Sequence, residues 1–498
     1  MAIPLLLGAL SFFVLAGGGL LRPTNIRWLQ HGDPATYYLG WLFYRNSPWQ
    51  LPLGLNPRYG LEIGSSIMFT DNIPLFAFVF KAFSRLLPEP FQYFGLWLLG
   101  CFMLQAWFAW KLLGILTSKT ALRAGGSLLF LLAPPFLWRL QGHYAMLDQW
   151  SLLAALYLCL GSRTTARGAS WPILALTVSL VHSYTTAMVL GLWLTDVFRR
   201  IVWPGRTRAD WLQLVLVPGA ALFGFWQAGF FATGRGVDAE GFGRYRMNLT
   251  SLIDASGWSY LLPDIPERAG DYEGFVFLGL GGILLALVSL PALRGAPAAL
   301  RKKREYWPLL VALVAFTLFA CSNRIGFATH ELVIPLPKSL IERANLLRSS
   351  GRMFWPVYYA LFWVMIRGLI KLYSTRVASA LMLTIVLLQA VDTSAGWLPI
   401  RRDLQLSGST WDTPLRSAFW SQASRQYTEL RMVPPRNQAP GYAPLAYYAG
   451  THGMGTNAIY LARVDLDRLN AATRAADRTI RLAHFDERSL LILDPRYL

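Results

Sequence analysis

The chain has 498 residues, 54% of them hydrophobic and only 15% charged, and its mean hydropathy is +0.37. A soluble domain carries about 25% charged residues, and here the charges cluster between apolar runs, which excludes an ordinary soluble enzyme. The formal net charge of +19 does not indicate nucleic acid, because the cations sit in short loops between apolar runs, as the positive-inside rule requires.

The first run, residues 3–21, has no basic stretch before it and no persuasive cleavage site, so it reads as a retained first helix rather than a signal peptide. Further apolar runs follow at 91–116, 125–138, 147–161, 211–232, 275–293, 306–321, 353–371 and 377–392. Residues 67–87 are apolar but carry Asp71, Lys81 and Arg85, which suits a juxtamembrane helix. Residues 169–198 read as two short helices hinged at His182-Ser183-Tyr184. With the N-terminus inside, this threading makes every inner loop basic: Lys119/Arg123, Arg163/Arg167, Arg199/Arg200/Arg206/Arg208, Arg294/Arg301/Lys302/Lys303/Arg304 and Lys371/Arg376. The expectation is an all-α polytopic membrane protein of about eleven transmembrane helices in residues 1–392, with a small α/β extracytoplasmic domain in 393–498. In the tail, helical patterning at 413–431 is joined by strand-like runs at Ala458–Val464 and Leu490–Leu493. Two helices drawn from 30 residues are each about 22 Å long, at roughly 1.5 Å per residue. That is short of a bilayer core of about 30 Å, so they imply an outward-opening cavity near His182.

The polar chain placed outside holds the candidate chemistry. Loop 22–90 opens on His31-Gly32-Asp33-Pro34, continues through Tyr37 and Tyr38, and ends on Thr70-Asp71-Asn72-Ile73-Pro74-Leu75. Asp33 before Pro34 and Asp71 before an apolar run are both placed to cap helices. The alternative is a carboxylate pair, one a general base and the other holding an acceptor or a divalent cation. The next outer loop packs His143, Asp148 and Gln149 between two apolar runs. Loop 322–352 sets Arg324, Lys338, Arg343, Arg348 and Arg352 against Glu331 and Glu342, and a basic outer loop at a membrane suits an anionic partner such as a lipid-linked phosphate. Arginine outnumbers lysine 39 to 7, so a single arginine says little, and its bland counterpart is a side chain snorkelling to headgroups. The three cysteines form no C-x-x-C pair, and no Walker sequence, G-x-S-x-G elbow or H-E-x-x-H is present.

These residues together resemble the GT-C type of membrane glycosyltransferase, and within it most of all a bacterial branch. Four features carry the likeness: Asp33 after the first helix, with Tyr37 and Tyr38; Asp71-Asn72-Ile73-Pro74-Leu75 before a juxtamembrane run; Leu147-Asp148 before a helix; and a domain after the last helix. Asn72 stands where relatives often carry lysine, and the first loop has no Asp-x-Asp pair. The resemblance implies inverting transfer of a sugar from a polyprenyl-phosphate carrier to an envelope glycan, lipid or protein acceptor, at the outer face of a bacterial inner membrane. Asp33 would be the base, with Asp71 and His143 or Asp148 organising acceptor or a divalent cation. Arg343, Arg348 and Arg352 would hold the donor phosphate. Tyr37, Asn72, Gln149, His182 and Tyr184 complete the expected substrate-binding set. A transporter or flippase of a lipid-linked or anionic solute, and a non-catalytic membrane assembly protein, are the competing readings.

Overall fold

A computed structural model describes residues 2–161, 168–202, 207–232, 240–293 and 304–494. The inner-loop cations Arg163, Arg167, Arg206, Arg294, Arg301, Lys302 and Lys303 lie outside the described residues.

The apolar runs fold as helices, because an uninterrupted run of side chains without backbone competitors leaves intrahelical hydrogen bonds as the only partners in an apolar setting. Among the described residues, Phe94–Leu113, Ser350–Leu372 and Thr375–Asp392 are long and apolar enough to cross a membrane. Thr120–Leu131 and Pro134–Gln141 would together make a fourth span, bent by 48°. The break falls at Pro134-Pro135, where two prolines cannot continue the hydrogen-bond ladder. The first helix is shorter than its run, ending at Leu15, and Gly17 follows at φ 100. It packs against Phe94–Leu113, where Gly8 sits so close to the Phe102-Met103 backbone that a side chain would not fit.

The juxtamembrane stretch 67–87 is helical only over Pro74–Ala82. The chain before it is irregular, with Asp71 at φ 49 and Ile73 at φ 51. Both are left-handed values that cost a non-glycine residue about 1–2 kcal/mol, and a β-branched isoleucine more. What holds this turn is Asn72, fully buried. Its amide donates to the Tyr37 carbonyl at 2.6 Å, and its own carbonyl accepts from the Tyr93 hydroxyl. Gly40 lets the turn approach helix Asp33–Asn46, since any side chain there would meet Asn72 and Thr70. The hinge in 169–198 is present: Ser170–Ser179 and Ser183–Val202 are separate helices that break before His182.

A two-stranded antiparallel hairpin, β1 (Arg324–Phe327) and β2 (His330–Val333), precedes the helix Lys338–Ala344. The tail contains a three-stranded parallel sheet in the order β4 (Gly455–Thr456), β3 (Glu429–Val433), β5 (Ser489–Leu493), with helix Leu466–Arg481 alongside. The strand-like run at 490–493 is therefore a strand. The run Ala458–Val464 is not, beyond one isolated bridge at Ile459. Its backbone is claimed instead by its neighbours: Gln438 N–H donates to the Ile459 carbonyl at 2.8 Å, and Ala462 N–H donates to Phe69 at 2.9 Å. Expected helical patterning at 413–431 reduces to Ala418–Gln426 running into β3.

The tail and the first outer loop interlock. Gly60 N–H donates to Thr456 at 2.8 Å, Thr456 N–H returns to Arg58 at 2.9 Å, and the Arg58 guanidinium reaches the Gly453 carbonyl at 2.7 Å. Tyr59, fully buried, accepts from Tyr460 N–H at 3.2 Å. This contact is what carries 460–463 toward Asp33 and Asp71.

Candidate functional site

Four loop segments (one around Asp33 and Asp71, one around His143, one around Tyr245 and Glu273, and one around Arg348 and Arg352), the hinge and the tail enclose a hollow of about 320 Å³. Asp33 and Tyr37 enter it from the first turn of helix Asp33–Asn46, and Asp71 from the strained turn. His143 comes from the second outer loop, and His182 and Tyr184 from the hinge. Arg348 and Arg352 arrive from the segment before helix Trp355–Leu372, and Tyr460 and Arg463 from the tail.

Neither aspartate caps a helix. Asp33 makes no capping hydrogen bond, and the helix after Asp71 begins at Pro74 with Ile73 as its uncapped N-cap. Each faces a histidine instead: His143 Nε2 lies 3.3 Å from Asp33 Oδ2, and His182 Nε2 lies 3.9 Å from Asp71 Oδ1. Burial, and then the Arg139 guanidinium, push His143 down to about 3. It is therefore neutral at pH 7, and its Nε2–H can donate to Asp33 while fixing that carboxylate's orientation. Burial lifts Asp71 to about 7, and the nearby Asp33 carboxylate adds to the rise against Arg352 and Arg348. Asp33 rises too, from burial first, with Arg352 opposing and Glu273 assisting. Two carboxylates whose environments both disfavour the charged state are the pattern of a proton-transfer site.

The cationic wall has two parts. Arg352 is locked on Glu273, Nε to Oε2 at 2.9 Å and Nη2 to Oε1 at 2.6 Å, and Arg139 reaches the same carboxylate at 3.1 Å. Burial alone would raise Glu273, but these two guanidinium groups hold it well below the usual carboxylate range. The Arg352 guanidinium lies 4.9 Å from the Tyr184 ring centroid, and the Tyr184 hydroxyl accepts from Ser349 N–H at 2.8 Å. Arg348 and Arg463 line the hollow with no carboxylate partner among the described residues. Arg463 is braced by donating to the Leu346 carbonyl at 2.6 Å.

Of the sequence-derived set, Asp33, Tyr37, Asp71, His143, His182, Tyr184, Arg348 and Arg352 share this hollow. Asn72 does not line it, because its amide is used up holding the turn. Asp148 and Gln149 are fully buried among the helices, and Gln149 donates to the Pro135 carbonyl at 3.1 Å, across the helix break. Arg343 is exposed on its short helix and does not reach the hollow. The divalent-cation role expected of Asp71 and His143 has no ligand set: each faces a different partner, and no three His, Cys, Asp or Glu among the described residues are grouped to hold a metal ion. Sequence reasoning missed Glu273, Arg139, Tyr460 and Arg463. Only Arg139 carried a signal, as a charge directly after the apolar run 125–138.

Fold and site define a mainly helical protein with helices able to cross a membrane, in which an acid- and arginine-lined hollow is closed in part by a small α/β tail. The chain belongs to the DUF6311 family, described as a domain of unknown function, which matches residues 5–394. The DUF6311 C-terminal domain matches residues 419–498. No curated protein and no solved structure matches the chain.

Proposed function

We propose that the protein is a membrane glycosyltransferase that moves a sugar from a polyprenyl-phosphate carrier to an envelope glycan, lipid or protein acceptor. In this reading it resides in the bacterial inner membrane with about eleven spanning helices, the N-terminus cytoplasmic and the tail extracytoplasmic. The observation that carries the reading is the meeting of Asp33 and Asp71 in one hollow with the guanidinium groups of Arg348 and Arg463.

The chemistry is a single displacement. The acceptor oxygen forms a bond to the anomeric carbon as the bond from that carbon to the phosphate oxygen breaks. The electron pair leaves with the phosphate, and the acceptor proton passes to the Asp33 carboxylate. Arg348 and Arg463 neutralise the departing phosphate where charge develops, a role that fixed cations fill at no cost of reorganisation. Arg352, held by Glu273, adds a third positive charge that cannot swing away. Neutral His143 aims the Asp33 carboxylate. Export or flipping of a lipid-linked anion draws support from the broken helix pair at Pro134. Carboxylates with raised proton affinity would also serve proton-coupled transport, so the Asp33 variant below is what separates the two readings.

The test replaces Asp33 with Asn in the native host and measures outer-surface glycan and carrier-linked sugar by mass spectrometry. Transfer falls about 10²- to 10⁴-fold, the usual worth of a general base, with donor accumulating and protein abundance unchanged. Undiminished transfer in Asp33→Asn removes Asp33 from the chemistry.

A further inference from the structure

A second hollow, of about 440 Å³, adjoins the first and shares two of its residues, Asp33 and Tyr460. Its other walls include Gln30 and His31, just before Asp33, and Trp411, Gln438 and Tyr442 from the tail. The two hollows differ in charge. Among the described residues, no lysine or arginine lines the second, whereas three arginines line the first. The one acid that the second hollow does not share, Asp412, is already engaged by Arg27 at 2.6 Å. An anion would find nothing there to balance it.

What the second hollow offers is ring faces and amides. Tyr442 meets Tyr460 edge-on, with ring centroids 6.1 Å apart, and its hydroxyl lies 3.4 Å from Thr36 Oγ1. Gln30 is set in place by accepting from Asp412 N–H at 3.1 Å. Gln438 is exposed at φ 56, its backbone N–H is tied to Ile459, and its side-chain amide makes no hydrogen bond among the described residues. Tyrosine rings with a few placed amides pack against the C–H faces of a sugar and bond its hydroxyls.

Inversion at the anomeric carbon requires the nucleophile and the leaving phosphate to lie on opposite sides of that carbon. A carboxylate that borders an arginine-lined hollow and a cation-free one satisfies this requirement. We propose that the second hollow takes the acceptor, a neutral, hydroxyl-rich glycan, and presents one of its hydroxyls to Asp33. The acceptor role rests on the transferase reading; the glycan-binding role does not.

Saturation-transfer NMR on the full-length protein in lipid nanodiscs tests this with tetrasaccharides of glucose, mannose and galactose, with tetragalacturonate, and with farnesyl phosphate as a separate probe. At least one neutral tetrasaccharide binds while tetragalacturonate does not. Gln438→Gly and Tyr442→Phe each weaken that binding roughly 2- to 10-fold, the effect of one neutral hydrogen bond. Both changes are conservative at their positions, glycine being at ease at positive φ, and unchanged melting temperatures certify the fold. No neutral tetrasaccharide binding, equal binding of tetragalacturonate, or no response to both substitutions overturns the proposal. Farnesyl phosphate binding without tetrasaccharide binding removes the acceptor pocket and leaves the transferase reading standing. Tetrasaccharide binding that responds to both substitutions, without farnesyl phosphate binding, keeps the pocket as a glycan site and removes the transferase reading.

Discussion

Two charged clusters in this molecule use the same residue types to opposite ends. In helix Ser183–Val202, Asp196 is wholly buried and receives Arg199 at 2.8 Å, Arg200 at 2.7 Å and the Trp171 indole N–H at 2.9 Å. Both oxygens are spoken for, and the cluster lines neither of the two hollows described above. In the hollow of Asp33 and Asp71 each aspartate meets one neutral or weakly basic histidine, and Arg348 and Arg463 meet no carboxylate among the described residues. A half-buried charge left without its full set of protein partners is completed by water or by a ligand, and the Asp33, Asp71, Arg348 and Arg463 side chains are only partly buried. The difference between closed and open clusters, rather than charge content, separates scaffold from site.

The comparison can be broken from either side. The largest effect belongs to the closed cluster: Asp196→Ala takes the carboxylate from the buried Arg199 and leaves Arg200 its longer contact to Asp210 at 3.9 Å, and loss of one member of a buried pair costs about 3–5 kcal/mol. The variant should fail to accumulate, or melt far below the wild type in detergent; wild-type melting would mean that the cluster is not holding the helices. Next is Asp71. Its carboxyl is raised to about 7 in the folded protein from 3.8, so between those two values the folded state binds the extra proton. Stability is therefore present at low pH and lost as pH rises toward 7. At about 1.4 kcal/mol per unit, with allowance for a side chain 23% exposed, the loss is about 2–4 kcal/mol. Asp71→Asn should melt higher than the wild type at pH 8 and lose stability less steeply from pH 5 to pH 8, the residual slope coming from Glu267, itself raised to about 7, and from Asp33; equal slopes would mean that Asp71 does not carry the strain. The smallest effect sharpens the comparison: Arg348→Ala should weaken farnesyl phosphate about 10- to 100-fold, the worth of a charged hydrogen bond. Its stability should stay within about 0.5 kcal/mol. A destabilised protein with intact phosphate binding would make Arg348 a scaffold residue.

Legibility followed the range of the interaction. The hinge at His182 is local, and the chain announces it; the helix break at Pro134-Pro135 is equally local but hidden, because 125–138 is one uninterrupted apolar run by hydropathy. Asp33, Asp71 and His143 could be singled out because each stands where apolar chain meets polar chain. Asp148 stood at a similar junction and proved buried, because the same pattern describes a residue facing a cavity and one facing a neighbouring helix. Glu273 carries no sequence signal that sets it apart from other loop acids, yet it anchors Arg139 and Arg352, 134 and 79 residues away. Of the five cations in loop 322–352, Arg324 is taken by Glu331 at 2.8 Å and Lys338 pairs with Glu342 at 3.9 Å. Only Arg348 and Arg352 reach the hollow.

From its sequence alone the chain determined that most of it is helical, that 169–198 is hinged, and that several of the charged residues lining the hollow lie where apolar chain meets polar chain. Those properties follow from hydropathy, proline and the 3.6-residue period, all of which act within a few turns. The tertiary structure decided that Ala458–Val464 wraps the first outer loop instead of joining the sheet, that Tyr460 and Arg463 stand near Asp33, and which arginines keep their charge for a ligand. Those outcomes turn on contacts between segments hundreds of residues apart, where every carboxylate competes for every guanidinium and only packing decides which pairs form.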